Sequence, residues 1–575
     1  MTAAGWTEIA LYVVILTALT PLLGGYMARV YRFEPVFLDR IAGPLERGTY
    51  RLLRIDRAQG QDWKAYARSV LVFSAVSWGL LYLILRTQGI HPWNPSDLGS
   101  GTWDESFNTA SSFITNTNWQ FYGGETTMSY FSQMAGLAVQ NFVSAAVAMA
   151  VLVAFIRAIA TRSGREIGSF YVDLTRTLFY ILVPLSIVVG IFLMSQGVLQ
   201  TLSAGPVLKT LTGGDQTLAL GPAASQVAIK QLGTNGGGFF NVNSAFPFEN
   251  PTWISNFVEM LSILLIPAAL TATYGRMVGN RRQGWAVYAA MLSLLLVAIV
   301  VVYVAETNGT PAMHAAGIDG VNMEGKEQRF GPASTAIWAV VTTAASNGSV
   351  NGAMESLSAF GGAVPMGMMQ TGEVIFGGVG SGLYGMLLFV ILAVFISGLM
   401  VGRTPEFLGK KIEAREIKLT VIATIGVPIL VLVTTALAMT KWGKVSIYDS
   451  GPQGFSEALY AYSSQGNNNG SAFAGYTGYL QPNGTNDGAF GITFSDILGG
   501  LTMIGARFLP LLAVLAVAGA LAGKRVSPAG AGTLRTDSPT FVVVLVAVIL
   551  IVVLLTFVPA LLLGPVVQGM TDRLF

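Results

Sequence analysis

The chain contains no cysteine and only two histidines, His91 and His314, in 575 residues. Disulfides, thiolate catalysis and Cys-based metal centres are thereby excluded, and two scattered histidines make no zinc cluster. Charge is scarce as well: Asp, Glu, Lys and Arg make up 11% of the residues, with a formal net charge of +3. So small an excess leaves no footprint for nucleic acid, and no stretch interleaves aromatic with basic residues as a binding strip does. There is no GxxxxGK[ST] phosphate loop and no DKTGT-like phosphorylation sequence. Nor is any polar segment long enough for a nucleotide-binding domain, so energy for uphill work has to come from another chain. The opening MTAAGWTEIALYVVILTALTPLLGGY has no basic leader before its apolar run, and it reads as a retained first span rather than a cleaved signal.

What is abundant is apolar sequence. Hydrophobic residues are 52% of the chain and mean hydropathy is +0.58, the composition of a polytopic membrane protein. A hydrocarbon core about 30 Å thick needs roughly 20 mostly apolar residues per helix. Ten such segments are expected, at 7–27, 69–88, 133–155, 175–197, 254–275, 285–305, 373–400, 417–440, 495–522 and 541–563. The connections at 28–68, 156–174, 276–284, 401–416 and 523–540 hold 22 Lys and Arg in 103 residues. Those at 89–132, 198–253, 306–372 and 441–494 hold 6 in 221. The positive-inside rule makes the basic set cytoplasmic and puts both termini outside. The stretch Arg29 to Arg68 is the largest basic patch, a topology anchor that also faces anionic lipid.

The outside loops share a pattern. Each carries a modestly apolar stretch too short to span (103–114, 222–232, 332–345 and 454–465), and each stretch runs into a polar Gly/Asn cluster. The clusters are Thr115-Asn116-Thr117-Asn118-Trp119-Gln120, Gly233-Thr234-Asn235-Gly236-Gly237-Gly238, Ala345-Ser346-Asn347-Gly348-Ser349-Val350 and Asn467-Asn468-Asn469-Gly470-Ser471-Ala472. Aligned, their fourth residues are Asn118, Gly236, Gly348 and Gly470. Any one cluster alone reads as an ordinary surface turn; four at matching places on one side do not. Non-helical backbone survives at membrane depth only when buried in protein or lining a wet cavity. Four re-entrant segments around one axis would present rings of carbonyl oxygens able to replace the hydration shell of K⁺. Half-helices before them would aim negative C-terminal dipole ends at the same point. One chain with four repeats makes the whole ring without a tetramer.

The seventh apolar segment holds Gly377, Gly378, Gly380 and Gly382 within six residues. Each glycine costs a helix about 1 kcal/mol relative to Ala, so an opened loop is expected. Interrupted helices mark ion paths or gates, and a tight helix crossing is the other reading. Glu373 at the start of this segment and Arg507 within the apolar run 501–521 are ionisable groups inside spans. They line a path, or they form an ion pair that fixes packing. Glu259 has the same ambiguity.

The strings TNTNWQ, TNGGGFFNVNSAFPFENPTW, SNGSVNGA, TGEVIFGGVGSGLYGM, VGRTPEFLGKKIE and QGNNNGSAF resemble the KdpA family, the potassium-translocating subunits of the bacterial Kdp P-type ATPase complex, along essentially the whole chain. The resemblance implies an all-α fold of ten transmembrane helices like the superfamily of potassium transporters, with four membrane–pore–membrane repeats and re-entrant pore loops. The organisation would be a first helix and basic loop (1–68), repeats at 69–155, 175–275, 285–400 and 417–522, and a last helix (541–575). The implied K⁺ selectivity filter centres on Asn118, Gly236, Gly348 and Gly470. Thr117, Asn235, Gly237, Asn347, Ser349, Asn469 and Ser471 are its neighbours, with Asn116 and Gln120 nearby. Either Asn116 or Asn118 is left in register, because the first cluster lacks the glycine. The 377–382 stretch resembles the loop that obstructs straight passage under the filter. K⁺ is the implied bound ion, without an organic cofactor. The implied partners are KdpB, which uses the ATP, with KdpC, KdpF and membrane lipid, in the bacterial inner membrane. A Trk/Ktr-type transporter or channel shares the filter logic and is the alternative. A membrane enzyme would need clustered acids or histidines, and an assembly scaffold leaves the four aligned clusters unexplained.

Overall fold

The computed structural model describes residues 1–162, 164–402, 404–478, 490–527 and 534–571. Arg403 of the basic loops, 479–489 of the last outside loop, 528–533 of the last basic loop and the C-terminal residues 572–575 therefore lie outside the described residues. Among the described residues ten helices are long and apolar enough to cross a membrane: Ala3–Tyr31, Trp63–Arg86, Ser132–Ala160, Phe170–Ser195, Trp253–Met277, Arg281–Ala315, Ser381–Met400, Ala414–Ala438, Ile492–Ala522 and Pro539–Met570. They are numbered here as first to tenth span. Between the paired spans lie four shorter helices, Trp103–Ile114, Ala223–Leu232, Gly331–Ala344 and Gly451–Gly466. Each ends at the Gly/Asn cluster that follows it. This is a membrane–pore–membrane architecture. The β structure among the described residues is three two-stranded ribbons in connecting loops.

Burial sorts the spans. Every residue from 144 to 156 of the third span is buried, as expected of a helix that is apolar all round and central. The second span instead exposes Val72, Val76 and Leu80, and the tenth exposes Val543, Ile551 and Leu555. These are helical-spacing faces suited to hydrocarbon. The first span lies along the fifth, where Tyr12 Oη donates to Met260 O (3.1 Å) and Thr273 Oγ1 to Gly24 O (3.1 Å).

Three features depart from the sequence-based expectation. The seventh span begins at Ser381, not at 373, because Gly372–Gly380 has no helical ladder. The segment before it, assigned to an outside loop, folds as a buried-faced helix, Ala359–Gln370. Its glycines and Pro365 lower its helix propensity, and packing overrides that. The basic loop after the first span contains a helix, Asp39–Leu53, pinned by Glu46. The Glu46 carboxylate accepts from Arg176 Nη1 (2.8 Å) and Tyr180 Oη (2.7 Å).

At the same end of the bundle, the hairpin Glu406–Phe407/Lys410–Lys411 carries a buried lysine. Lys410 Nζ donates to Ala158 O and Leu521 O, both at 2.7 Å, so one amine ties together the ends of the third and ninth spans. Burial, aided by Lys524, pushes its pKa down to about 8.

Candidate functional site

The four short helices aim their C-termini at one region, and the chain then turns sharply. Asn116, Thr234, Ser346 and Asn468 open the four turns with φ of +69°, +48°, +56° and +55°. The next residues, Thr117, Asn235, Asn347 and Asn469, sit at one level. A Cβ built on Gly236 would lie 2.5 Å from Thr117 O, 2.8 Å from Asn469 O and 3.0 Å from Asn347 O. Carbonyls from the other three repeats therefore converge on the missing side chain of the second. A Cβ on Gly470 would likewise overlap Thr117 O, and one on Gly348 would overlap Asn469 O.

That geometry bears on the register of the first cluster. Thr117 O stands with the Asn347 and Asn469 carbonyls, so Asn118, not Asn116, occupies the level of Gly236, Gly348 and Gly470. Asn118 has φ +53°, alongside +87° at Gly348 and +104° at Gly470. Asn is one of the few residues that visits this region readily, which is how it replaces glycine here. Its side chain is held by Asn141 of the third span, Nδ2 to Oδ1 at 2.5 Å.

Side chains lace the four strands together. Asn235 Nδ2 donates to Asn116 Oδ1 (2.6 Å), Asn347 Nδ2 to Lys230 O (3.0 Å) and Asn469 Nδ2 to Thr342 O (2.9 Å), each reaching the preceding repeat. In the forward sense Asn116 Nδ2 donates to Thr234 O (2.8 Å) and Ser346 Oγ to Asn468 O (2.8 Å). Asn468 Nδ2 reaches Thr117 Oγ1 (2.9 Å) and closes the circle. Ser349 and Ser471 donate their amides to Asn347 Oδ1 (2.9 Å) and Asn469 Oδ1 (3.1 Å), tightening those two turns. With the asparagine side chains turned into the protein, the carbonyls are left to face the axis.

The strands separate two cavities. Above them is a vestibule of about 830 Å³ whose lining includes Asn118, Gln120, Glu125, Gly237, Gly348 and Gly470. Gln120 Oε1 accepts from Gly238 N (2.9 Å), so it braces the second strand at the vestibule floor. Glu125 accepts from Asn241 N (2.9 Å), and burial pushes its carboxyl above the usual range. Below lies a smaller cavity of about 80 Å³, lined by Glu373, Arg507, Gln370 and Asn468 and extending between the seventh, eighth and tenth spans. Glu373 is buried with φ +53° in the break before the seventh span, not in its helix, and its Oε1 has no hydrogen-bond partner. Arg507 is also buried. Among the described residues no ion pair within 4 Å joins them, so they share a cavity without forming a mutual bridge.

The glycine-rich break sits directly under the strands. Val379 N donates to Thr234 Oγ1 (2.9 Å) and Gly377 N to Ala344 O (3.0 Å). A Cβ on Gly378 would touch the Ser346 side chain at 3.1 Å. Gly380 has φ +86°, and a Cβ there would overlap Ala148 O of the third span, so only glycine lets the loop wedge in this close. Gly382 is similarly tight against Phe376 O.

Two buried groups behind the strands escaped the sequence reading. Lys230, near the end of its short helix, pairs with Glu249, and both are fully buried. The Lys230 carbonyl accepts from Asn235 N (2.8 Å) as well as from Asn347, while Glu249 accepts from Phe240 N (2.9 Å). Next to it Gln231 accepts from Ser349 Oγ (2.9 Å) and donates to Glu259 (2.9 Å), which also takes Ser244 Oγ (2.7 Å). Glu259 thus supports the strands through Gln231 and lines neither cavity. An ionisable residue inside the re-entrant stretch AASQVAIKQL was the available signal.

A family model described as KdpA, potassium-transporting ATPase A subunit, matches residues 10–570. The chain belongs to the KdpA family. A potassium-transporting ATPase potassium-binding subunit of Methylobacterium nodulans is 53% identical over 569 residues, 99% of this chain and 98% of that protein. One of Sorangium cellulosum is 53% identical over 586 residues, covering 99% of each. Among solved structures, the potassium transporter TrkH from Vibrio parahaemolyticus is similar, with a TM-score of 0.49, 13% identity and coverage of 87% of this chain and 96% of that one. KdpA members being subunits accords with a chain that carries no nucleotide-binding sequence.

Proposed function

We propose that this chain is the ion-selecting subunit of an ATP-driven potassium importer. It takes K⁺ from the outside vestibule into a ring of carbonyls centred on Asn118, Gly236, Gly348 and Gly470. The observation that carries the reading is the convergence of Thr117, Asn347 and Asn469 carbonyls on Gly236, between two cavities. Carbonyl oxygens at that level substitute for water around a dehydrated monovalent cation, and four helix C-termini add favourable potential. Thr117, Asn235, Gly237, Asn347, Ser349, Asn469 and Ser471 complete the strands, with Asn116 and Gln120 as braces.

The loop through Gly377, Gly378, Gly380 and Gly382 obstructs a straight fall from the ring. Glu373 draws the cation into the lower cavity, whose extension toward the seventh, eighth and tenth spans suits a sideways exit to a partner chain. Arg507 limits the route. ATP is used by that partner, a P-type subunit of the KdpB kind, with KdpC and KdpF completing the assembly and no organic cofactor on this chain. The setting is the bacterial inner membrane. The basic connections face the cytoplasm and the termini face out, as the distribution of Lys and Arg supports.

The test is potassium-stimulated, vanadate-sensitive ATP hydrolysis by the assembly that copurifies with this chain from its native membrane. Stimulation by K⁺ and not by Na⁺ is expected. An absence of ATPase together with K⁺ flux through the isolated chain in liposomes would instead mean a channel or Trk-like transporter. For the loop, Gly380→Val should raise passive K⁺ flux of reconstituted assemblies by about tenfold, the equivalent of about 1.4 kcal/mol off the barrier. Flux equal to that of the unaltered protein would remove the loop from the gating role.

A further inference from the structure

At the end of the bundle opposite the vestibule, a cavity of about 590 Å³ opens between the first and fifth spans. Four arginines line it, Arg29, Arg32, Arg276 and Arg281, against one acid, Glu34. The single acid is already engaged, 3.7 Å from Arg32. Two of the arginines are built into the walls: Arg276 Nη2 donates to Pro21 O (3.0 Å), and Arg32 donates to Arg276 O. Gly25 makes this possible, because a Cβ there would fall on the Arg276 guanidinium. The other two, Arg29 and Arg281, have no ion pair or hydrogen bond to their guanidiniums among the described residues. The cavity therefore gathers more positive charge than its walls neutralise, with free planar donors of the kind that match a phosphate.

We infer that this cavity holds the phosphate headgroup of an anionic phospholipid. Two observations place it at headgroup depth and favour a lipid over a free anion. Five residues after Glu34 the chain enters the helix Asp39–Leu53, which exposes Ile41, Leu45 and Leu52 on one face while Arg40, Arg47 and Arg51 flank it. A helix of that pattern lies in the plane of a membrane interface. One wall of the cavity is also apolar, with Pro21 and Leu22, and Leu22 is 70% exposed. A headgroup in the cavity would leave its acyl chains along that wall. Basic pockets between transmembrane helices at such a level bind anionic headgroups. The site is separate from the ion pathway and does not depend on it.

Native mass spectrometry of the intact assembly, delipidated and then offered phosphatidylglycerol and phosphatidylcholine in equal amounts, tests the assignment. Phosphatidylglycerol should be retained in preference, and Arg29→Gln/Arg281→Gln should weaken that retention about thirtyfold. Should the double variant not assemble, Arg281→Gln alone should show a loss of about fivefold. Millimolar inorganic phosphate should leave the lipid in place. Equal retention of phosphatidylcholine, or retention unchanged by the substitutions, would overturn the inference. Displacement of the lipid by inorganic phosphate would also overturn it, showing a site for free anions.

Discussion

Gly236→Ser should raise the K⁺ concentration needed for half-maximal ATPase stimulation by about a hundredfold, the equivalent of about 2.8 kcal/mol of ion binding. The added Cβ would stand 2.5–3.0 Å from carbonyl oxygens of three other repeats. Contacts that short force the carbonyls outward, and a widened ring no longer compensates K⁺ for its lost hydration shell. Na⁺ should then begin to stimulate, because selectivity rests on the same geometry. The assembly should still be recovered, since the asparagine lacing that holds the strands lies behind the ring. Gly79→Ala is the control: a Cβ there meets nothing within 4 Å, so ion dependence should not move. A Gly236→Ser assembly with unaltered K⁺ dependence would end the filter assignment. Gly348→Ser, at the same level, should behave alike.

The second large effect is on folding. Lys230→Met leaves the Glu249 carboxylate fully buried without its cation, and an uncompensated buried charge costs about 3–5 kcal/mol. That is a large share of the stability of an ordinary domain. Recovery of the assembly after solubilisation should fall severalfold and its unfolding temperature should drop. Lys230→Met/Glu249→Gln should regain most of the loss, because replacing both partners removes the stranded charge. The amide oxygen introduced by Glu249→Gln can still accept from Phe240 N, as the Glu249 carboxylate does. A double variant no more stable than the single one would show that the pair acts through something other than charge compensation.

Fold class was legible because the membrane imposes a length and a polarity on every span. Ten runs of roughly 20 apolar residues can satisfy their backbone groups only as helices, and the described residues hold ten helices of that length and polarity. The re-entrant stretches were legible for a related reason. They are too short to cross and end in residues that tolerate positive φ, and the short helices end within two residues of the expected limits at the clusters. Local composition could not define the helix Ala359–Gln370 or the true start of the seventh span. Its glycines and proline read as loop, and only burial against neighbouring spans makes it helical. The charge pairs were hidden too. Lys230 and Glu249 are 19 residues apart, and Glu46 and Arg176 are 130 apart. Nothing in one sequence says which buried charges meet.

The sequence by itself determined the number of spans and the four Gly/Asn clusters, since these follow from hydropathy and short-range backbone preference. Tertiary structure alone decided which carbonyls share a level, which of Asn116 and Asn118 stands in register, and that Glu373 and Arg507 share a cavity without pairing. It also decided that four arginines from the ends of three spans line one hollow. Each of these is a distance between segments far apart in the chain, and only the packing of the helices sets it.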